Sequence, residues 1–120
     1  MRWPLWRVAV VEQSMAPGLR PGDWLLVRRA GWPGRQLRIG PGQVVIATHP
    51  GRPGLLLVKR VARRDAAGWW LESDNPDAVG ATDSHQFGAV DPGLIEGRVL
   101  LRYRRARGEQ AGNRPGDPRP

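Results

Sequence analysis

The chain has no cysteine. Its absence rules out disulfide bridges, a thiolate nucleophile and a zinc ribbon, and it fits a reducing compartment, with the cytoplasm as the default. Histidine is nearly absent too: His49 and His85 are the two present, and no acidic partner stands at a diagnostic ligand spacing from either, so no metal and no other cofactor is expected. Long hydrophobic runs are missing. The opening segment has an uninterrupted apolar stretch of four residues, 8–11, against the ~20 needed to span a bilayer, and no small-residue cleavage site follows it. It reads as a strand, with a shallow interfacial contact through Trp3 and Trp6 as the alternative. Stretches free of helix breakers are missing as well, because 16 glycines and 12 prolines interrupt the chain. No amphipathic helix of ordinary length fits between them.

What lies between the breaks is short runs of β-branched, aliphatic and aromatic residues, so the fold class expected is mostly β. Strands are expected over residues 5–12, 24–29, 43–48, 55–64, 69–72 and 95–104. Residues 31–41 read as a loop, Pro21-Gly22-Asp23 as a tight turn, and Pro76-Asp77 as the start of a connection running through Gly80. At 120 residues the length suits a single core and therefore a single site. A compact domain is expected over residues 1–105. Residues 106–120 are rich in Gly, Pro and Arg without apolar periodicity, and are expected to form a disordered tail.

The formal net charge is +8 and the pI about 11.6. Such a balance suits nucleic acid, an anionic membrane surface or an acidic protein. The arginines, however, fall in separated pairs (Arg28-Arg29, Arg63-Arg64, Arg104-Arg105) rather than on one face, as solvated strand ends and loops would have them.

Of nineteen basic residues one is a lysine, Lys59, set in the apolar run Leu55-Leu56-Leu57-Val58-Lys59-Arg60-Val61. A guanidinium stays protonated in a protein, whereas an amine placed among hydrophobic side chains can give up its proton and become a base. Strand alternation puts Lys59 on the face of Leu55, Leu57 and Val61. A free lysine titrates near about 10.4, so an amine acting as a base near neutrality must be destabilised in its charged form by ~4 kcal/mol. The partner for such a base is a hydroxyl on a constrained bend. Ser14, one of three serines, is framed by Met15, Pro17 and Leu19 after the apolar stretch 8–11. Each residue alone also has a plain reading: a lysine left on a strand edge, and an ordinary loop serine before a proline turn.

Three segments taken together go further. Ser14-Met15-Ala16-Pro17-Gly18-Leu19-Arg20-Pro21-Gly22-Asp23, Leu57-Val58-Lys59-Arg60-Val61, and Ser73-Asp74-Asn75 with Asp83-Ser84-His85-Gln86-Phe87-Gly88-Ala89-Val90 resemble, in order, the boxes of the type I signal peptidase family of serine proteases. The resemblance covers roughly residues 8–103. It implies a single signal-peptidase/LexA-like catalytic β domain and a Ser/Lys dyad, in which Ser14 attacks the scissile carbonyl and Lys59 takes its proton. It also implies that the Ser14 backbone N–H serves the oxyanion and that Asp74, Asp83 and Ser84 support the site. Within the family, the lack of an anchor, the small size and the closing Gly97-Arg98-Val99-Leu100-Leu101-Arg102-Tyr103 look most like the soluble proteases that mature nickel-type superoxide dismutase. The implied partner is that precursor, whose propeptide would be removed.

The chain departs from the family pattern in several places. Glu12 stands where many members have an oxyanion-binding serine, and Ser73 replaces the glycine of Gly-Asp-Asn. His85 replaces the arginine of Asp-Ser-Arg, which implies weaker support for Asp83. The serine that orients the lysine amine is not recognisable, and Thr82 is the hydroxyl nearest its place. Asp83-Ser84-His85 has the ingredients of a catalytic triad, but on an extended chain neighbours point to opposite faces. Trp24, Trp69 and Trp70 are expected in the core or along a groove rather than stacked on nucleic acid. Two other functions stand beside the protease: a non-enzymatic basic β module, or inactive relative, binding nucleic acid or an anionic surface; and a self-cleaving regulator, for which no helix-turn-helix segment is found.

Overall fold

The computed structural model describes residues 4–31 and 37–104. Trp3, part of the 31–41 loop and the expected tail at 106–120 lie outside the described residues. Six strands form one antiparallel sheet: β1 (Leu5–Ala9), β2 (Asp23–Arg29), β3 (Val44–His49), β4 (Arg52–Asp65), β5 (Gly68–Glu72) and β6 (Ile95–Arg104), in the spatial order β1-β2-β6-β3-β4-β5. The fold is mostly β, as the breaker-rich sequence requires. The strand expected over residues 5–12 ends at Ala9, where the chain leaves the sheet for the bend that carries Ser14.

Alternation builds two cores, one on each side of the central strands. Val45 and Ala47 of β3 point into a cluster with Val61, Trp69, Leu71, Val90 and Ile95. Ile46, between them, points the other way, into Val10, Leu25 and Val27, with Val8 and Val58 packed against that group. The second cluster draws on β1 and β4, which are four places apart in the sheet order, so the sheet curls and brings them together. Gly97 permits close packing in the middle of the sheet, since a Cβ there would lie 2.4 Å from Val27 Cγ1 and 2.7 Å from the Arg28 carbonyl oxygen.

The turn expected at Pro21-Gly22-Asp23 is present: Gly22 adopts φ +95°, the buried Asp23 side chain accepts the Arg20 N–H at 3.0 Å, and the Gly22 N–H bonds Val10 O at 2.9 Å. Among the described residues there is one α-helix, the short α1 (Ser84–Phe87), capped reciprocally by Asp83 and Gln86, and a single 3-10 turn at Pro92–Leu94. No helix among the described residues is long and apolar enough to cross a membrane.

Candidate active site

Lys59 sits in the buried half of β4, flanked along the strand by Leu57 and Val61, with Val45 opposite it on β3. It is fully buried. Its Nζ donates to Ser14 Oγ at 2.9 Å and to Ser73 Oγ at 2.9 Å. Burial drives the Lys59 pKa below the ordinary lysine value, and the negative charges of Glu12 and Asp83 oppose that fall without cancelling it. The result is an amine held against a serine hydroxyl in a site that disfavours its charged form.

Ser14 is placed by a compact turn, in which the Ala16 N–H bonds Gln13 O and the Leu19 N–H bonds Met15 O. The segment after β5 fastens that turn to the sheet. The Asn75 N–H donates to Ser14 O at 2.7 Å, Asn75 Nδ2 donates to Gln13 O at 3.2 Å, and the Asp74 N–H meets Met15 Sδ at 3.3 Å. Met15 is itself buried, so the residue after Ser14 acts as an anchor. Among the described residues the Ser14 N–H makes no hydrogen bond of its own.

The first and third boxes therefore meet at the second. Asp74 forms a two-pronged ion pair with Arg60, at 2.9 and 2.7 Å, one residue past Lys59. Asp83 is buried; its Oδ2 accepts the Ser73 N–H at 2.8 Å, and its Oδ1 accepts the His85 N–H and lies 2.9 Å from His85 Nδ1. Burial alone would raise the Asp83 carboxyl, but these N–H groups and the neighbouring imidazole pull it below the usual carboxylate range. Ser84 Oγ accepts the Leu71 N–H at 2.8 Å and ties α1 to β5.

Two features differ from the sequence expectation. The hydroxyl that touches the amine beside Ser14 is Ser73, not Thr82, which makes no hydrogen bond among the described residues. Pairing of Val61 with Leu71 and Arg60 with Glu72 sets Ser73 alongside Lys59, just beyond the end of β5. The departure from Gly-Asp-Asn thus supplies a hydroxyl at the amine. Second, Asp83 and His85 lie in a capped turn rather than an extended chain and do touch. The Ser84 hydroxyl is turned away to Leu71, so the three residues form no relay.

A groove of about 150 Å³ opens beside Ser14, lined by residues 8–12 together with Met15, Leu56 and Val58. Glu12 lies at its rim, exposed. Of the tryptophans expected in the core or groove, Trp69 is in the core, whereas the half-buried Trp24 and Trp70 carry the stacked guanidiniums of Arg7 and Arg63. His49 bonds locally to the Gly51 N–H.

A family model described as Peptidase S24-like matches residues 5–87, a span that holds Ser14, Lys59, Ser73 and Asp83. No curated protein matches the sequence. The chain belongs to the Peptidase S24-like family, within the LexA/signal-peptidase-like superfamily, and its function is of the serine peptidase type.

Proposed function

We propose that this Peptidase S24-like chain is a serine endopeptidase working through a Ser14/Lys59 dyad. The observation that carries it is the 2.9 Å contact between Lys59 Nζ and Ser14 Oγ, with the amine wholly buried. When Lys59 is neutral its lone pair accepts the Ser14 O–H while one of its own N–H groups remains on Ser73. Ser14 Oγ then attacks the carbonyl carbon as its proton passes to Nζ, and Nζ returns that proton to the departing amine. The Ser14 N–H is the candidate donor to the oxyanion, a contribution worth ~3 to 4 kcal/mol where such donors are removed. Asp74, Asp83 and Ser84 hold the surrounding segments in place.

The groove supports an extended peptide as substrate. β1 is an edge strand, and β5 pairs with β4 only from Arg60 onward, so the flank of β4 near Leu56 and Val58 is also open to main-chain hydrogen bonds. Small aliphatic side chains suit a space walled by Val8, Val10, Leu56 and Val58.

The physiological step is removal of an N-terminal propeptide from a protein precursor. The candidate precursor is a nickel-type superoxide dismutase, on the resemblance of the closing segment 97–103. The test is mass spectrometry of such a precursor incubated with wild type, Ser14→Ala and Lys59→Ala. Trimming by wild type alone is the expected result, and trimming that survives either substitution removes the dyad. Loss of binding to nucleic acid with rising salt, in a chain that cleaves nothing, marks the basic-module alternative instead. Appearance of fragments of the chain itself that require both residues marks self-cleavage.

A further inference from the structure

The site does not end at Ser73. From Lys59 Nζ a hydrogen bond reaches Ser73 Oγ, the Ser73 N–H reaches Asp83 Oδ2, and Asp83 Oδ1 meets His85 Nδ1. The inner end of this chain is fully buried, while the His85 side chain is 60% exposed. Its outer end lines an open cavity of about 340 Å³ with Ser73, Pro76, Ala81, Asp83 and Gln86. Solvent therefore reaches one end of a hydrogen-bonded path whose other end is the dyad.

We propose that His85 is a positioning residue for the Ser14/Lys59 pair and that its charge state is felt by the Lys59 amine through Asp83. This extends the reading of Lys59 as the base. The Asp83 carboxylate favours the ammonium form of Lys59. With a neutral imidazole beside it that charge stands uncompensated; with an imidazolium at 2.9 Å much of it is cancelled, and Lys59 deprotonates more readily. Other groups face the ring as well. Glu72 of β5 lies 3.8 Å from Nε2, and the Trp70 ring of β5 stands edge-on at 5.6 Å, with Arg63 of β4 stacked 4.5 Å from that ring. Two carboxylates thus face the ring, and among the described residues Asp83 is the one that also accepts the Ser73 N–H.

The single lysine makes the test direct, because a lysine-selective isotope label gives one side-chain NMR signal. The Lys59 titration midpoint is compared in wild type, His85→Gln and His85→Arg. The arginine variant, which keeps a permanent cation beside Asp83, is expected to titrate several tenths of a pH unit below the glutamine variant. In wild type the Lys59 signal is expected also to move where the His85 ring titrates, a movement lost in His85→Gln, so the measurement stands even if the arginine variant fails to fold. Cleavage kinetics add a second readout: His85→Ala should lower kcat several-fold with KM unchanged, and His85→Gln should restore most of the loss. Equal Lys59 midpoints in the two variants, or a wild-type signal blind to His85, overturns the proposal even where cleavage requires Lys59. A coupled Lys59 midpoint in a chain that cleaves no peptide leaves the coupling standing and removes the hydrolase instead.

Discussion

Lys59 Nζ and Ser14 Oγ meet at 2.9 Å across 45 positions of sequence. Neither element brings this about alone. β4 buries the amine by alternation, and the segment 73–75, returning from β5, fastens the Ser14 turn over it through the bond from Asn75 N–H to Ser14 O. Ser14 is 3% exposed, so the two groups meet in a largely water-free contact, where an amine that loses its proton finds a hydroxyl as its nearest partner.

Under the proposed dyad, replacing Lys59 by arginine keeps the positive charge and removes the base. Lys59→Arg should lower kcat/KM for peptide cleavage by at least about 10³-fold, as loss of a dyad or triad member commonly does. Single-turnover cleavage of a fluorogenic propeptide checks it. Retention of even a tenth of wild-type activity would mean that another group takes the proton.

Lys59 also carries a stability signature. Its folded pKa is depressed, chiefly by burial, so between that pKa and the unfolded value the unfolded chain binds the extra proton and stability rises with pH. Below the folded pKa the full cost of the buried charge is present. Lys59→Met should therefore stabilise the protein at neutral pH, by about 1–4 kcal/mol on the scale of buried-charge replacements. Its advantage should shrink as pH approaches the range of a free lysine. Urea melts of both proteins at several pH values measure the difference.

The strands were legible because period-2 burial around residues 55–61 and the Gly/Pro breaks are local signals; the pairing of Ser14 with Lys59 came instead from the resemblance of the three boxes, since each residue alone has a plain reading. The part played by Ser73 was not legible. It depends on the register of β5 against β4, which shifts between Val61 and Arg63, and no local pattern fixes where such a shift falls. The curl that brings residues 8–11 against Leu56 and Val58 to form the groove is likewise a property of the whole sheet. The turn at Asp83 had a readable sign in the Asp83-x-x-Gln86 spacing of a capping box. That sign is obscured when Asp83-Ser84-His85 is taken as extended chain.

Ser73→Ala leaves the amine with Ser14 alone. Its orientation loosens while the groove is untouched, so kcat should fall roughly 10- to 100-fold with little change in KM, the magnitude of losing about 1.4–2.7 kcal/mol of transition-state alignment. Ser73→Thr, which restores a hydroxyl, should recover part of the loss. An unchanged kcat in the alanine variant would show that Ser73 merely fills space.

Gly97 tests the packing beneath the site. In Gly97→Ala the added methyl meets Val27 Cγ1 and the Arg28 carbonyl oxygen, and only the first can move aside cheaply. β6 lies between β2 and β3, so the strain falls on the sheet that orders both cores. A loss of about 1–3 kcal/mol is expected, read as a lower denaturant midpoint at constant m-value.

Glu12 offers the most discriminating pH experiment, because it is exposed yet its charge acts on a buried group. Its carboxylate raises the Lys59 pKa, opposing the burial that lowers it. In the proposed dyad only the neutral amine serves as base, so kcat/KM should rise with pH through the Lys59 titration. Glu12→Gln removes the opposing charge, lets burial act less opposed, and should move that rise to lower pH, increasing the rate on the acid side and leaving the alkaline plateau alone. Added salt should shift the wild-type profile in the same direction, because an interaction from an exposed group is screened over ~3 Å at 1 M ionic strength. The glutamine variant should respond less. A profile shifted to higher pH, or unmoved by both changes, would show that the titrating group behind it is not Lys59.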